Sequence, residues 1–81
     1  MQIVIVKWRD ITSQDGWHSA NKLDNFIIED DNLVVQIGFL YEEDEDKIVL
    51  LDSYFEKKDL YGGVHKIPRG CIVSIQKLDG K

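Results

Sequence analysis

Trp8 and Trp17 bracket a short polar segment that carries Arg9, Asp10 and Ser13. Two indoles beside short hydrogen-bonding side chains form a set that can stack a base or a nicotinamide-like ring and bond to its edge. The set lies in a turn-rich loop, where binding residues concentrate. Lys66 and Arg69, much later in the chain, are cations available to a phosphate. Trp8, Arg9, Asp10, Ser13, Trp17, Lys66 and Arg69 are therefore the candidate ligand-binding residues. The same residues have a simpler structural reading. In a chain with a thin core, two tryptophans close the end of a small barrel, and Asp10 and Ser13 cap the loop backbone.

The remaining reactive side chains point away from catalysis. His18 and His65 have no nucleophile tied to them, since Ser13 and Ser19 sit in turn and cap contexts. His65 reads as a satisfied strand histidine beside Lys66. Cys71 alternates with Val73 and Ile75, which suits a small buried hydrophobe better than a reactive thiolate. Two histidines and one cysteine, widely separated, make no zinc signature. The acidic run Glu42–Asp46 lacks the spaced carboxylates and the glycine of a calcium loop, so it reads as a charged hairpin tip. Gly62-Gly63 precedes no helix and is no phosphate-binding loop. The expectation is a binding protein, with no catalytic residue, metal or cofactor.

The elements that must position these residues follow from side-chain period. From Leu33, the residues Leu33, Val35, Ile37, Phe39 and Tyr41 share one face, and Val34, Gln36, Gly38, Leu40 and Glu42 the other. Period two with β-branched and aromatic residues predicts a strand covered at least partly on both sides. A second strand runs from Lys47 to Tyr54, so Val34–Tyr54 is a hairpin around which the chain is organised. Gly38 in mid-strand predicts a bend or a close backbone approach.

Before the hairpin, Gln2–Trp8 predicts a first strand. Asp15-Gly16 predicts a turn. Ser19 is an N-cap for a helix over Ser19–Asn25, with Trp17, Ala20 and Leu23 in one stripe. Phe26–Ile28 reads as a short strand. After the hairpin, Phe55–Gly63 reads as a long polar loop with a flexible end. Val64–Ile67 is a short strand, Pro68-Arg69-Gly70 a tight turn, and Cys71–Leu78 the last strand. Five to six short strands with one helix packed over an end predict a mostly β, small SH3-like barrel formed as one domain over residues 1–81.

Composition sets further bounds. The chain has 81 residues, 43% of them hydrophobic, and a formal net charge of −5. An acidic balance argues against broad nucleic-acid binding, which relies on clustered cations. The charge is unevenly distributed, however: residues 57–81 hold six of the ten basic side chains and only two acids. A local positive patch is thus compatible with an acidic protein. No apolar run approaches a membrane span, and the opening MQIVIVKW lacks the features of a signal segment. A lone cysteine can form no internal disulfide. Cytoplasmic location, here in a host cell, is the expectation.

Two resemblances arise from these motifs. Val6-Lys7-Trp8-Arg9-Asp10 with Ser13 and Asp15-Gly16-Trp17, then Ile37-Gly38-Phe39-Leu40, Ile48-Val49-Leu50 and Ile67-Pro68-Arg69-Gly70-Cys71-Ile72, resemble a family of small phage- and prophage-encoded proteins along nearly the whole chain. The stretch 25–35 departs from that pattern in being longer and more acidic. This resemblance implies a mobile-element accessory protein. Gly38-Phe39-Leu40, Asp44, Val49-Leu50 and Arg69-Gly70 before Ile72-Val73 are also similar to the two-part signature of Sm-like proteins. That similarity implies rings that bind single-stranded RNA. The asparagine that such proteins place after the acidic loop is replaced here by Lys47 or Ile48.

The functional expectation is a phage or prophage accessory protein that counters host defence by sequestering a small anionic, nucleotide-like ligand. The alternatives are an acidic module that engages a basic host protein through Glu42–Asp46, and an Sm-like ring that binds RNA. Exposed strand edges allow a homo-oligomer, and no membrane partner is expected.

Overall fold

The computed structural model describes residues 1–11, 16–28 and 32–78. The period-two stretches form strands, in the order β1 (Gln2–Arg9), α1 (Ala20–Ile28), β2 (Leu33–Glu43), β3 (Lys47–Tyr54), β4 (Tyr61–Pro68), a 3-10 turn (Arg69–Cys71) and β5 (Ile72–Leu78). The five strands make one antiparallel sheet in the order β4-β3-β2-β1-β5. The chain is mostly β with one short helix, as the periodicity requires.

The sheet is curled. Val4 and Val6 of β1, Ile48 and Leu50 of β3 and Ile67 of β4 form one buried cluster, against which Trp8, Leu40, Ile72 and Ile75 pack. Ile67 and the pair Ile72 and Ile75 come from opposite edge strands. In a flat sheet those edges would lie about 19 Å apart, at roughly 4.8 Å per strand. Contact with one cluster requires the two edges to turn toward each other. Gly38 makes the curl feasible. A Cβ on it would stand 3.2 Å from both Leu50 Cβ and the Leu51 carbonyl oxygen. A glycine is what lets β2 approach β3 so closely. Among the described residues no ladder joins β4 to β5, and the 3-10 turn is their link.

Two bulges reset the faces. In β5 the register shifts between Lys7 and Trp8, whose partners are Ser74 and Ile72. Val73 is the extra residue, so Ile72 and Ile75 both turn toward the core. Simple alternation placed them on opposite faces; a bulge adds one residue and inverts the parity beyond it. A second shift between Leu40 and Glu42 makes Tyr41 the extra residue of β2.

Other boundaries differ from the sequence reading. Phe26–Ile28 is the last turn of α1, not a strand, because Leu23, Phe26 and Ile27 continue a helical spacing of three and four. Ser19 caps the helix as expected: its Oγ accepts from the Lys22 N–H at 3.3 Å and its carbonyl from the Leu23 N–H at 3.0 Å. The helix is not packed over an end of the sheet, for none of its residues is buried. The loop after Tyr54 ends sooner than expected, since Gly62 and Gly63 lie within β4. Gly63 adopts a φ of 64°, and the Asp52 side chain occupies the space that a Cβ would take. Pro68 ends β4, and Arg69–Cys71 is a 3-10 turn. Ser13, Asp15 and the acidic residues 29–31 lie outside the described residues.

The Gly38 contact is testable. Gly38→Val is expected to destabilise the fold by about 1–3 kcal/mol through overpacking against Leu50. Gly70→Ala, where an added Cβ meets no atom within 4 Å, should cost far less. Urea unfolding of both variants decides the matter; equal midpoints would refute the close-approach role.

Candidate functional site

Among the described residues, those singled out in the sequence take separate parts in the fold. Trp8 is half-buried and packs against the core, and its Nε1 donates to Gln36 Oε1 at 3.1 Å. Trp17 is fully exposed, and no ring contact joins the two indoles among the described residues. Asp10 serves the loop backbone. Its Oδ1 accepts from the Ile11 N–H at 2.9 Å, its N–H donates to the Asn32 carbonyl at 2.9 Å, and Asn32 Nδ2 returns a bond to its carbonyl at 2.9 Å. Arg9 lies opposite Leu33 at the end of the β1–β2 ladder. Lys66 is exposed on β4 opposite Val49. His65 is a satisfied strand histidine, its Nε2 at 3.0 Å from Asp52 Oδ1.

Arg69 is engaged by the acidic hairpin tip. Its N–H donates to the Asp46 carbonyl at 2.8 Å, its Nε to the Asp44 carbonyl at 2.9 Å, and its Nη2 lies 3.4 Å from Glu43 Oε2. Lys77 approaches the other Glu43 oxygen at 3.6 Å. Within the tip, Asp44 Oδ1 accepts from the N–H groups of Asp46 and Lys47 at 2.8 and 2.9 Å, and Oδ2 from Lys47 Nζ at 3.0 Å. These donors favour the ionised carboxylate and lower its pKa to about 2 from 3.8, with the Lys47 ammonium the largest cause. Asp44 in turn raises the pKa of Lys47. The five consecutive carboxylates are thus tolerated through one that organises the turn and one that pairs across to Arg69 and Lys77.

A different pocket lies where the β3–β4 hairpin turns, at the opposite end of β3 from the tip. Tyr54 faces Tyr61 across the ladder, and the Phe55 N–H donates to the Leu60 carbonyl at 3.0 Å, closing a tight loop over 56–59. Ser53, Tyr54, Phe55, Leu60, Tyr61 and Gly62 line a cleft of about 350 Å³. A second hollow of about 320 Å³ adjoins it, lined by Phe39, Ser53, Tyr54 and Glu56. A Cβ on Gly62, in the cleft wall, would lie 3.1 Å from Ser53 Oγ.

Ring contacts brace the walls. Phe39 and Tyr54 meet edge to face at 5.2 Å and 85°, and Tyr41 and Tyr61 meet at 5.2 Å and 59°. Lys58 Nζ sits 5.2 Å above the Phe55 ring. A hydrogen bond to the Asp59 carboxylate raises the Tyr61 pKa above its usual 10.0. Five of the eight aromatic residues therefore collect at this end. Chemically the cleft can sandwich a flat ring and bond to its edge through Ser53 and the tyrosine hydroxyls, with Lys58 at the rim.

The sequence reading passed over this site because its aromatics span positions 39–61 and each reads as ordinary strand material. The available signal was the pairing of Tyr54-Phe55 with Leu60-Tyr61 across four polar residues, which a hairpin brings together.

Comparison of the chain with protein-family models, with curated proteins and with solved structures finds no match.

Two titrations check the electrostatics. A carboxylate with a depressed folded pKa contributes stability that is complete above its unfolded value. That contribution is lost as pH falls through the folded value. The Asp44 contribution should therefore disappear between pH 3.8 and about 2, and Asp44→Asn should flatten thermal melts across that window. Unchanged acid melts in the variant would contradict the geometry of the tip. Tyr61 should ionise above pH 10.0, and Asp59→Asn should move that ultraviolet transition downward.

Proposed function

We propose that the protein is a non-enzymatic binding module that holds a small, planar, anionic ligand of nucleotide type in the aromatic cleft of the β3–β4 hairpin. The observation that carries this reading is the cleft itself, about 350 Å³ walled by Tyr54, Phe55, Leu60 and Tyr61. That volume lies in the range of small-molecule sites, which are mostly apolar with a few polar groups that set orientation. Stacking on aromatic side chains contributes about 1–3 kcal/mol per base. Lys58, whose Nζ sits 5.2 Å above the Phe55 ring, is a cation available to a phosphate. The resemblance to phage- and prophage-encoded proteins supports reading such a module as an accessory protein that sequesters a nucleotide signal of host defence in the host cytoplasm.

This reading moves the ligand from the Trp8–Trp17 loop to the hairpin. Trp8 is committed to the core and Arg69 to the acidic tip, so neither is free to meet a ligand without a rearrangement.

A second reading has its own support. Glu42, Glu45 and Asp46 are exposed on a tip that Arg69 holds in place. A pre-ordered acidic knob suits a basic groove on a partner protein.

Calorimetric titration with adenine and guanine mononucleotides and cyclic dinucleotides tests the first reading. Tyr61→Ala and Tyr54→Ala, each still folded, should weaken binding by about fivefold or more, consistent with the loss of one stacking contact. Arg69→Ala should leave affinity unchanged. No heat with any ligand of the panel, or full affinity in both tyrosine variants, would sink the proposal.

A further inference from the structure

Beside the cleft, the aromatic end of the sheet holds the second hollow, of about 320 Å³. Phe39 of β2, Ser53 and Tyr54 of β3 and Glu56 of the following loop line it. Phe39 and Tyr54 meet with ring centroids 5.2 Å apart and planes at 85°. One ring stands edge-on to the other, so their faces make a right-angled corner. The ladders fix that corner, since Phe39 lies opposite Leu51 and Tyr54 opposite Tyr61.

The charge around this corner has one sign. Each aromatic face carries the negative pole of the ring quadrupole. Glu56 adds a carboxylate to the wall, and none of the lining residues is cationic. Two other acids at this end are already engaged: Asp52 Oδ1 lies 3.0 Å from His65 Nε2, and the Tyr61 hydroxyl bonds to Asp59. Among the described residues no cation pairs with Glu56. Lys58 of the same loop lies over Phe55 instead, with its Nζ 5.2 Å from the ring centroid. Two ring faces and an unpaired carboxylate repel an anion and attract a cation.

We infer that this hollow binds a quaternary ammonium group, with its methyls on the faces of Phe39 and Tyr54 and its charge balanced by Glu56. The methylated cation is selected over a primary ammonium by the make-up of the wall. A primary ammonium is strongly hydrated and brings three N–H donors that need acceptors. Most of this wall is ring surface, which offers no such acceptors. A quaternary ammonium has no N–H to satisfy and presents apolar methyls that spread its charge against ring faces. The volume falls at the lower end of small-molecule sites, which is ample for a group of this size. The inference does not rest on the nucleotide reading. Phe39 and Glu56 line this hollow and not the cleft, and Leu60 and Tyr61 line the cleft and not the hollow.

Choline is the probe, and its uncharged analogue, with carbon in place of the nitrogen, is the control. Each is titrated into the full chain without nucleotide, and the amide shifts are followed by nuclear magnetic resonance. Choline should bind about tenfold or more tightly than the analogue, since only the cation draws on the ring faces and the carboxylate. Glu56→Gln, in an exposed loop that tolerates the change, should weaken choline binding by about threefold or more. Phe39→Leu, shown folded by circular dichroism, should do the same. Asp59→Asn removes a carboxylate of the same loop that does not line the hollow, and should change affinity by less than about twofold. A short peptide carrying trimethyl-lysine presents the same group, and its affinity relative to choline tells a side-chain ligand from a free solute. Absence of a saturable shift with both choline and the peptide overturns the proposal. So does equal binding of choline and its uncharged analogue, or a loss in Asp59→Asn as large as that in Glu56→Gln.

Discussion

The curl of the sheet is the constraint on which the rest of this molecule depends. Eighty-one residues cannot supply a second layer for every surface they create. The chain covers one face of its sheet by turning that face upon itself, so that Ile67 from one edge and Ile72 and Ile75 from the other enclose Val4, Val6, Ile48 and Leu50. The curl rests on Gly38, where an added Cβ would stand 3.2 Å from Leu50 Cβ and from the Leu51 carbonyl oxygen. It also rests on the Val73 bulge, which turns two isoleucines inward that alternation would separate. On the opposite face Val49 and Leu51 of β3 are buried as well, while Val35 and Ile37 of β2 stand exposed.

The two ends of the β3 strand illustrate different ways of finishing a hairpin. At the β2–β3 end the chain uses charge. Asp44 binds two backbone N–H groups and the Lys47 ammonium, and Arg69 ties the turn to the start of β5. Each exposed pair contributes little to stability, but together they specify one geometry for a run of acids that would otherwise repel. At the β3–β4 end the chain uses rings. Tyr54, Phe55, Leu60 and Tyr61 stand around a cleft and do not fill it. Charges pair off and leave a sealed surface. Rings braced edge to face leave apolar walls without closing the space between them. The open end is for that reason the better place to look for a ligand.

Much of the fold was legible along the chain. The alternation from Leu33 to Tyr54 marks β2 and β3 closely, because side chains in a strand must alternate; the acidic run marks the tip, although Glu42 and Glu43 still pair within β2. Ser19 marked the helix start, since only a short side-chain oxygen can serve the free N–H groups there. The helix end was misread because Phe26-Ile27-Ile28 suits a strand as well as a helix, and a short apolar run does not distinguish the two periods. Gly62-Gly63 suggested a loop, yet the ladder with Asp52-Ser53 carries both glycines inside β4. For the candidate site, the sequence singles out residues by type, whereas the cleft depends on which rings the strand register brings together. Tryptophans draw attention by size, but in a thin core size is a reason for burial, as Trp8 shows.

The sequence by itself determined the class of the protein: mostly β, one short helix, a central hairpin with a charged tip, and too little chain for a thick core. These follow from local rules of period, capping and repulsion, each confined to a few neighbouring residues. Only the tertiary structure decided which face of each strand is inside, where the bulges fall, that Arg69 is bound to the tip, and that four aromatic rings from three strands gather with Phe55 of the loop. These are matters of register between strands, and a shift of a single residue reverses every side chain beyond it. Register is settled by the sum of packing across the whole sheet, which no short stretch of sequence contains.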